Sequence, residues 1–139
     1  MYFYDDDTTG FIEDNDIKFI RMSFCDIFGN MKNIAIMPGE LTRAIDYGIP
    51  FYTADVLGKK PDTLMLRPDT HSLSVLPWRP QSGRVVRFLC NLFNTDGTPY
   101  EGDLRRNLGK TVEKLEQMGC LCRVSTRCEF YLFKTDIDG

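Results

Sequence analysis

A β-hairpin near the start of the chain is the feature that most limits how it can fold. Residues 17–29, IKFIRMSFCDIFG, are rich in β-branched and aromatic side chains, which favour strands, and they end at the turn signal Gly29-Asn30. Residues 31–37, MKNIAIM, have the composition of the returning strand. The sequence therefore predicts two strands joined by a tight turn.

A helix is predicted directly after this hairpin. Pro38-Gly39 ends the second strand, and residues 40–47 carry apolar side chains at helical spacing before Gly48, a stop signal; these apolar residues are Leu41, Ala44 and Ile45. A shorter helix is expected at residues 8–14, where Thr8 and Thr9 offer helix-start chemistry, although Gly10 weakens it.

The next part of the chain completes a first domain. Residues 49–68 show no clear periodicity and are predicted to be irregular, whereas residues 72–78 and 84–93 are strand candidates. Strands that carry a helix across one face of their sheet form an α+β domain. We assign this domain to residues 1–95.

A second unit is predicted after the turn-rich residues 94–103, which are dense in Asp, Gly, Thr and Pro. Asp103 can cap a helix that ends at Gly119. Its apolar residues form one stripe, namely Leu104, Leu108, Val112, Leu115 and Met118. A long final strand is expected at residues 120–133. One helix and one strand cannot bury both of their faces, so residues 96–139 are interpreted as a linker and the truncated start of a larger domain.

Charge and cysteine content exclude several classes of function. With 17 basic and 20 acidic residues, the chain has no broad basic face for nucleic acid. It has no apolar run long enough for a membrane span and no basic, apolar leader at its N-terminus, so we expect a cytoplasmic protein. The five cysteines form no CxxC pair, which disfavours a disulfide framework. A metal site at Cys120 and Cys122 is the less favoured alternative to small apolar side chains.

Glu129 poses a question within the predicted final strand. It sits among apolar residues in the stretch STRCEFYLF, and burying an unpaired carboxylate is costly. Either Glu129 lies at the surface, or its partner lies outside this polypeptide.

Several long stretches, taken together and in order, resemble the N-terminal third of bacterial glutamine synthetases. They are NDIKFIRMSFCDIFGNMKNIAI, LRPDTHSLSVLPWRPQSGRVVRFLCNLFNTDGTPYEGDLRRNL and CEFYLFKTD. The resemblance implies a β-grasp-like sheet with a crossing helix, followed by the first helix and strand of a catalytic domain. The family ligates ammonia to glutamate with ATP and Mg or Mn, at sites between neighbouring subunits of a ring, by metal-assisted phosphoryl transfer.

The resemblance places Glu129 at a family metal-ligand position, where a dication would balance its charge. The family commonly has a second glutamate two residues earlier, but this chain has Arg127. Residues two apart on a strand point the same way, and a permanent cation there would repel a metal ion. A surface pair between Arg127 and Glu129 is therefore the competing interpretation.

A second departure falls on Tyr52, which occupies the position of the family's ammonium-site aspartate. A neutral phenol supplies neither negative charge for ammonium nor a ready base near neutral pH. Asp55 could substitute only if the loop shifted. No catalytic residue is expected to be intact, and no cofactor is expected for this chain alone.

Two hypotheses of different classes follow. The first is a fragment of, or a truncated protein related to, glutamine synthetase that is inactive alone. The second is a non-catalytic β-grasp protein that associates with or modulates full-length synthetase. Expected partners are a second copy of the chain or full-length subunits.

Three other features are expected to have no catalytic role. His71 is predicted to be solvated, Trp78 to serve in packing or at an interface, and Arg105-Arg106 to be a solvated pair at a helix start.

Overall fold

A mixed sheet organises the protein, for which a computed structural model describes residues 8–53, 63–77 and 83–134. Six strands and three α-helices lie in these ranges. In chain order they are α1 (Thr8–Asp14), β1 (Ile17–Cys25), β2 (Met31–Ile36), α2 (Leu41–Asp46), β3 (Ile49–Tyr52), β4 (Thr63–Pro68), β5 (Ser74–Val75), β6 (Arg84–Phe93) and α3 (Leu104–Gln117).

Strand β6 lies at the centre of this sheet. The strand order is β2-β1-β6-β4-β3, and β5 also pairs with β6. β1 and β6 are parallel, with Ile20 opposite Val86, and every other pair in the described sheet is antiparallel. A sheet of this kind with helices packed on it confirms the predicted α+β class.

The predicted hairpin is confirmed as β1 and β2, and its turn is held by Asp26. This carboxylate is 3% exposed. Its Oδ1 accepts hydrogen bonds from the N–H groups of Phe28 (2.9 Å) and Asn30 (2.8 Å), and its Oδ2 accepts one from the Asn30 side chain (3.0 Å). Burial acts to raise the pKa of Asp26, but these hydrogen bonds and nearby Lys32 hold the pKa below its ordinary value. Gly29 takes the left-handed conformation that closes the turn, with φ +82°.

The core lies between α2 and one face of the sheet. α2 contributes Leu41 and Ala44, and alternate residues of the long strand β6 point toward them, namely Val86, Phe88, Cys90 and Leu92. The helix predicted after the hairpin is thus confirmed. Burial raises the pKa of the Cys90 thiol to about 12, so this cysteine stays neutral and packs as a small apolar side chain.

The prediction of an irregular segment at residues 49–68 is wrong at both of its ends. β3 pairs with β4 along a four-residue register from Ile49–Leu66 to Tyr52–Thr63. These strands were not predicted because Pro50 and Pro68 are unusual residues in a strand. Proline cannot donate to a sheet ladder, but β3 is an edge strand and Pro68 is the last residue of β4, where the missing N–H costs little. The strand predicted at residues 72–78 shortens to the two residues of β5.

The second unit keeps its helix but lacks its strand. α3 has the predicted limits, yet none of its residues is buried. Residues 120–134 are exposed and form no regular element, which corrects the strand expected at residues 120–133. A strand is defined by its ladder bonds, and no described segment pairs with these residues. Within the described ranges, no helix is both long and apolar enough to cross a bilayer.

Asp103 joins α3 to the sheet. As predicted it caps the helix, because Oδ1 accepts from the N–H groups of Arg105 (3.0 Å) and Arg106 (3.3 Å). Its Oδ2 also accepts a hydrogen bond from the N–H of Leu92 in β6 at 2.9 Å. No local sequence pattern indicates this contact. The backbone N–H of Tyr100 donates a hydrogen bond to the carbonyl of Leu92 at 3.0 Å. Residues 94–103 therefore fold back along β6.

Replacing Asp103 should destabilise the protein more than replacing an exposed aspartate. Asp103→Ala removes a helix cap and leaves the buried Leu92 N–H without its acceptor, which together should lower the free energy of unfolding by about 2 kcal/mol or more. Asp46→Ala is the matched control, because Asp46 is exposed at the end of α2 and should change stability by less than about 0.5 kcal/mol. Urea denaturation followed by circular dichroism measures both; equal midpoints would contradict the role given to Asp103.

Candidate functional site

Glu129 and Arg127 form an ion pair in solvent. Arg127 Nη1 donates to Glu129 Oε1 at 3.1 Å, and the two side chains are 84% and 75% exposed. Such a pair contributes at most about 1 kcal/mol to stability. The described residues contain no group of three or more His, Cys, Asp or Glu side chains that could hold a metal ion. The surroundings of Glu129 therefore do not fit the metal centre that the resemblance implied.

Tyr52 lies at the end of β3 and is 63% exposed. It lines an open groove of about 410 Å³, which we call the edge groove; the other lining residues are Phe24, Lys32, Asn33, Ile34, Pro50 and Phe51. The rings of Phe24 and Phe51 meet at its floor with centroids 4.8 Å apart. Lys32 is the charged residue of this lining, and its ammonium is 3.9 Å from the Asp26 carboxylate. Asp55 lies outside the described residues.

A second open cleft, of about 420 Å³, separates α3 from β6. Its lining is mainly cationic and consists of Asn91, Arg105, Arg106, Gly109, Lys110 and Glu113. Arg105 is not a freely solvated side chain, which corrects the prediction for Arg105-Arg106. Its guanidinium donates to Asp69 Oδ2 at 2.7 Å and to Asn91 Oδ1 at 3.2 Å. Arg105 thus fixes the first turn of α3 to the sheet.

Three other features were singled out in the sequence. His71 is exposed, as predicted, with its Nδ1 3.5 Å from Asp69 Oδ1. All five cysteines are free thiols, and Cys120 and Cys122 are exposed. Trp78 lies outside the described residues.

The structure does not bring the two family-matched positions together. The lining of the edge groove includes Tyr52 but no residue from segment 120–134, which holds Glu129. The cluster of Asp69, Asn91, Asp103 and Arg105 was missed at the sequence level. Asp69 and Arg105 are 36 residues apart, and only the capping pattern at Asp103 gave a local signal.

Comparison with known proteins identifies relatives of this chain. The family model described as "Glutamine synthetase, beta-Grasp domain" matches residues 16–95. The chain is 38% identical to a glutamine synthetase of Clostridium saccharobutylicum, over 96% of this chain and 31% of that protein. It is 33% identical to a glutamine synthetase of Staphylococcus epidermidis, over 99% of this chain and 32% of that protein. The chain therefore spans about a third of the length of these relatives.

Solved structures show the same fold. Those described as "GmaS/ADP complex-Conformation 1" and "Apo GmaS without ligand" each superpose with a TM-score of 0.70 at 21% identity, over 81% of this chain and 26% of theirs. The sheet and helix arrangement is therefore that of the corresponding part of a much longer chain.

Titration with a divalent metal tests the site at Glu129. We expect manganese to bind with a dissociation constant of about 1 mM or weaker, because oxygen-ligand sites with few carboxylates lie at that end of the range. Glu129→Ala should leave the titration unchanged. Arg127→Glu replaces a repelling cation by an acceptor and should tighten binding. Calorimetry measures all three, and a micromolar site that Glu129→Ala abolishes would contradict this assignment.

Proposed function

The chain belongs to the glutamine synthetase family through its β-grasp domain, and on that premise we propose that it carries the N-terminal part of a glutamate–ammonia ligase and is inactive by itself. Its role would be in glutamine biosynthesis, exercised only as part of a complete enzyme. We propose that residues 1–95 act as the β-grasp unit and residues 96–139 as a linker and the start of the catalytic unit.

The Arg127–Glu129 pair is the observation that carries the proposal of inactivity. Phosphoryl transfer from ATP depends on positioned dications and charge stabilisation at the transferred group. The carboxylate at the family metal position is neutralised instead by a neighbouring guanidinium, in solvent. Since these residues do not fit a metal ion, no step of a ligase reaction can be assigned to them. We propose that the chain alone holds neither ATP nor Mg or Mn as a cofactor.

Tyr52, at the position of the family's ammonium-site aspartate, also supports the proposal of inactivity. A carboxylate would bind ammonium and accept a proton from it, whereas the phenol of Tyr52 is a poor base near neutral pH. The groove beneath it is lined by Phe24, Ile34 and Phe51. Such a lining suits an apolar group better than a small cation.

A second function is favoured by the exposed surface of the second unit. The helix α3 buries none of its apolar stripe, and Phe130, Tyr131, Leu132 and Phe133 are all largely exposed. Large exposed apolar patches mark interaction sites. We propose as the alternative a non-catalytic protein that binds full-length synthetase subunits, or itself, through residues 120–134. The free thiols suit the reducing cytoplasm, which we propose as its location.

An activity assay tests the proposal of inactivity. Purified protein given ATP, glutamate, ammonium and magnesium should release phosphate no faster than buffer, while a complete glutamine synthetase serves as the positive control. Tyr52→Asp should not restore turnover, because a carboxylate at that position leaves the metal site unchanged. Glutamine formation that stays with the protein through repurification would contradict the proposal.

Light scattering tests the proposed role of residues 120–134. The double substitution of Phe130→Ser and Leu132→Ser should reduce the association of the chain, because each buried side chain of that size contributes about 1.5–3 kcal/mol. Lys134→Ser in the same segment removes no such surface and is the matched control. An unchanged mass at high micromolar concentration would show that this segment does not drive association.

A further inference from the structure

We propose that Arg21 and Arg87 together form a binding site for carboxylate groups, and that an acidic segment of a protein chain is its occupant. The two arginines lie side by side on the outer face of the sheet, which we define as the face opposite the core. The site uses neither Tyr52 nor Glu129, so it does not depend on the proposed function.

The strands of the described sheet carry only positively charged residues. These are six lysines and arginines, namely Lys18, Arg21, Lys32, Arg67, Arg84 and Arg87, and the same strands contain no aspartate or glutamate. The whole chain has the opposite balance, with a formal net charge of -3. The sheet is therefore a local concentration of cations in an acidic protein.

Four of these six cations have a partner among the described residues, the pairs being Lys18 with Asp16, Lys32 with Asp26, Arg84 with Asn15, and Arg67 with the ring of Phe93. Arg21 and Arg87 form no ion pair with a described carboxylate. Nε of Arg87 is buried and has no hydrogen-bond acceptor. Nε of Arg67 lacks one too, but that guanidinium lies 4.7 Å from the Phe93 ring centroid. Partial burial of an unpaired guanidinium is costly, and a bound anion would offset the cost.

The sheet holds the two unpaired guanidinium groups next to each other. Arg21 and Arg87 are register partners in the parallel pairing of β1 with β6, where neighbouring strands are about 4.8 Å apart. The preceding pair, Ile20 and Val86, is buried in the core, so alternation places both arginines on the outer face. Both are partly exposed. Two like charges at this spacing repel each other, and an anion between them would remove that repulsion.

The surroundings of the pair leave room for a protein segment. The residues next to it in the ladder are small, with Ala35 of β2 opposite Arg21 and Ser74 of β5 opposite Arg87. Phe19 lies two residues before Arg21 on the same face and is 49% exposed. An acidic peptide can contact this ring with its apolar atoms while its carboxylates bind the arginines, whereas a small free carboxylate makes only the ionic contact.

The backbone around the pair favours carboxylate over phosphate as the ligand. Phosphate sites commonly add backbone N–H groups from a helix N-terminus or a turn. At Arg21 and Arg87 both strands are paired on both sides, so no such row of free N–H groups is present. Arginine alone suits a planar carboxylate, which accepts two parallel hydrogen bonds from one guanidinium. Two arginines also form a much smaller site than the broad basic face that nucleic acid requires.

The test measures the binding of a fluorescently labelled peptide of glutamates to the full chain by fluorescence anisotropy. This peptide should bind the wild-type chain, whereas a glutamine peptide of the same length should not. Because the chain is acidic overall, unspecific attraction would not produce this difference. Unlabelled inorganic phosphate should compete poorly with the glutamate peptide.

Substitutions locate the site. Arg21→Gln combined with Arg87→Gln should raise the dissociation constant at least about tenfold, because charge-assisted hydrogen bonds are lost. Arg21→Lys combined with Arg87→Lys keeps both charges and much of each stem, so it preserves the fold, yet it should weaken binding at least about threefold because lysine lacks the planar fork. Arg84→Gln is the matched control, since it removes an exposed cation from the same strand β6 and should leave binding unchanged.

Four results would overturn the proposal. They are equal binding of the glutamate and glutamine peptides, unchanged binding in either double variant, and a loss in Arg84→Gln as large as in the glutamine double variant, which would show bulk charge attraction. Displacement of the peptide by phosphate at equal carboxylate and phosphate concentrations would overturn the choice of ligand and assign the arginine pair to phosphate.

Discussion

The parallel pairing of β1 with β6 is the constraint on which the rest of the structure depends. Among the described strands, β2 joins the sheet only through β1, and β4, with β3 beyond it, joins only through β6. This contact links residues that are far apart in sequence, for example Ile20 and Val86, 66 positions apart. The loop between them must close before any of its bonds form. Burial of the side chains around it, including Ile20, Met22, Val86 and Phe88, offsets that entropy.

The polar contacts of the second unit depend on the same central strand. In β6, the Leu92 N–H donates to the Asp103 carboxylate and Asn91 Oδ1 accepts from Arg105. The Asp69 carboxylate accepts from the same guanidinium. Polar contacts of this kind, when their hydrogen bonds are satisfied, hold the elements they join in one orientation. The start of α3 is thereby fixed to the sheet, although the rest of that helix buries no residue. The polar contacts at its start therefore orient α3 even though none of its side chains is buried.

Local chemistry made most of the fold predictable. The Gly29-Asn30 turn, the stop at Gly48 and the cap at Asp103 each act within a few residues, so sequence patterns revealed the hairpin, α2 and α3. β3 was missed because Pro50 opposes a strand locally, and only its position at a sheet edge removes the cost. The strand expected at residues 120–133 failed for the converse reason. High β-propensity describes how a segment fits a sheet, and no described strand lies beside it.

The candidate site was predictable where neighbours in sequence decide it and not elsewhere. Arg127 and Glu129 are two residues apart, so their pairing could be anticipated from strand periodicity. The edge groove could not, because Phe24 and Phe51 meet only after β1 and β3 have taken opposite places in a curved sheet. Neither position 52 nor position 127 lies in the core, so the fold does not require a carboxylate at either of them. Both side chains are exposed, so the charge at these positions can change while the sheet stays the same.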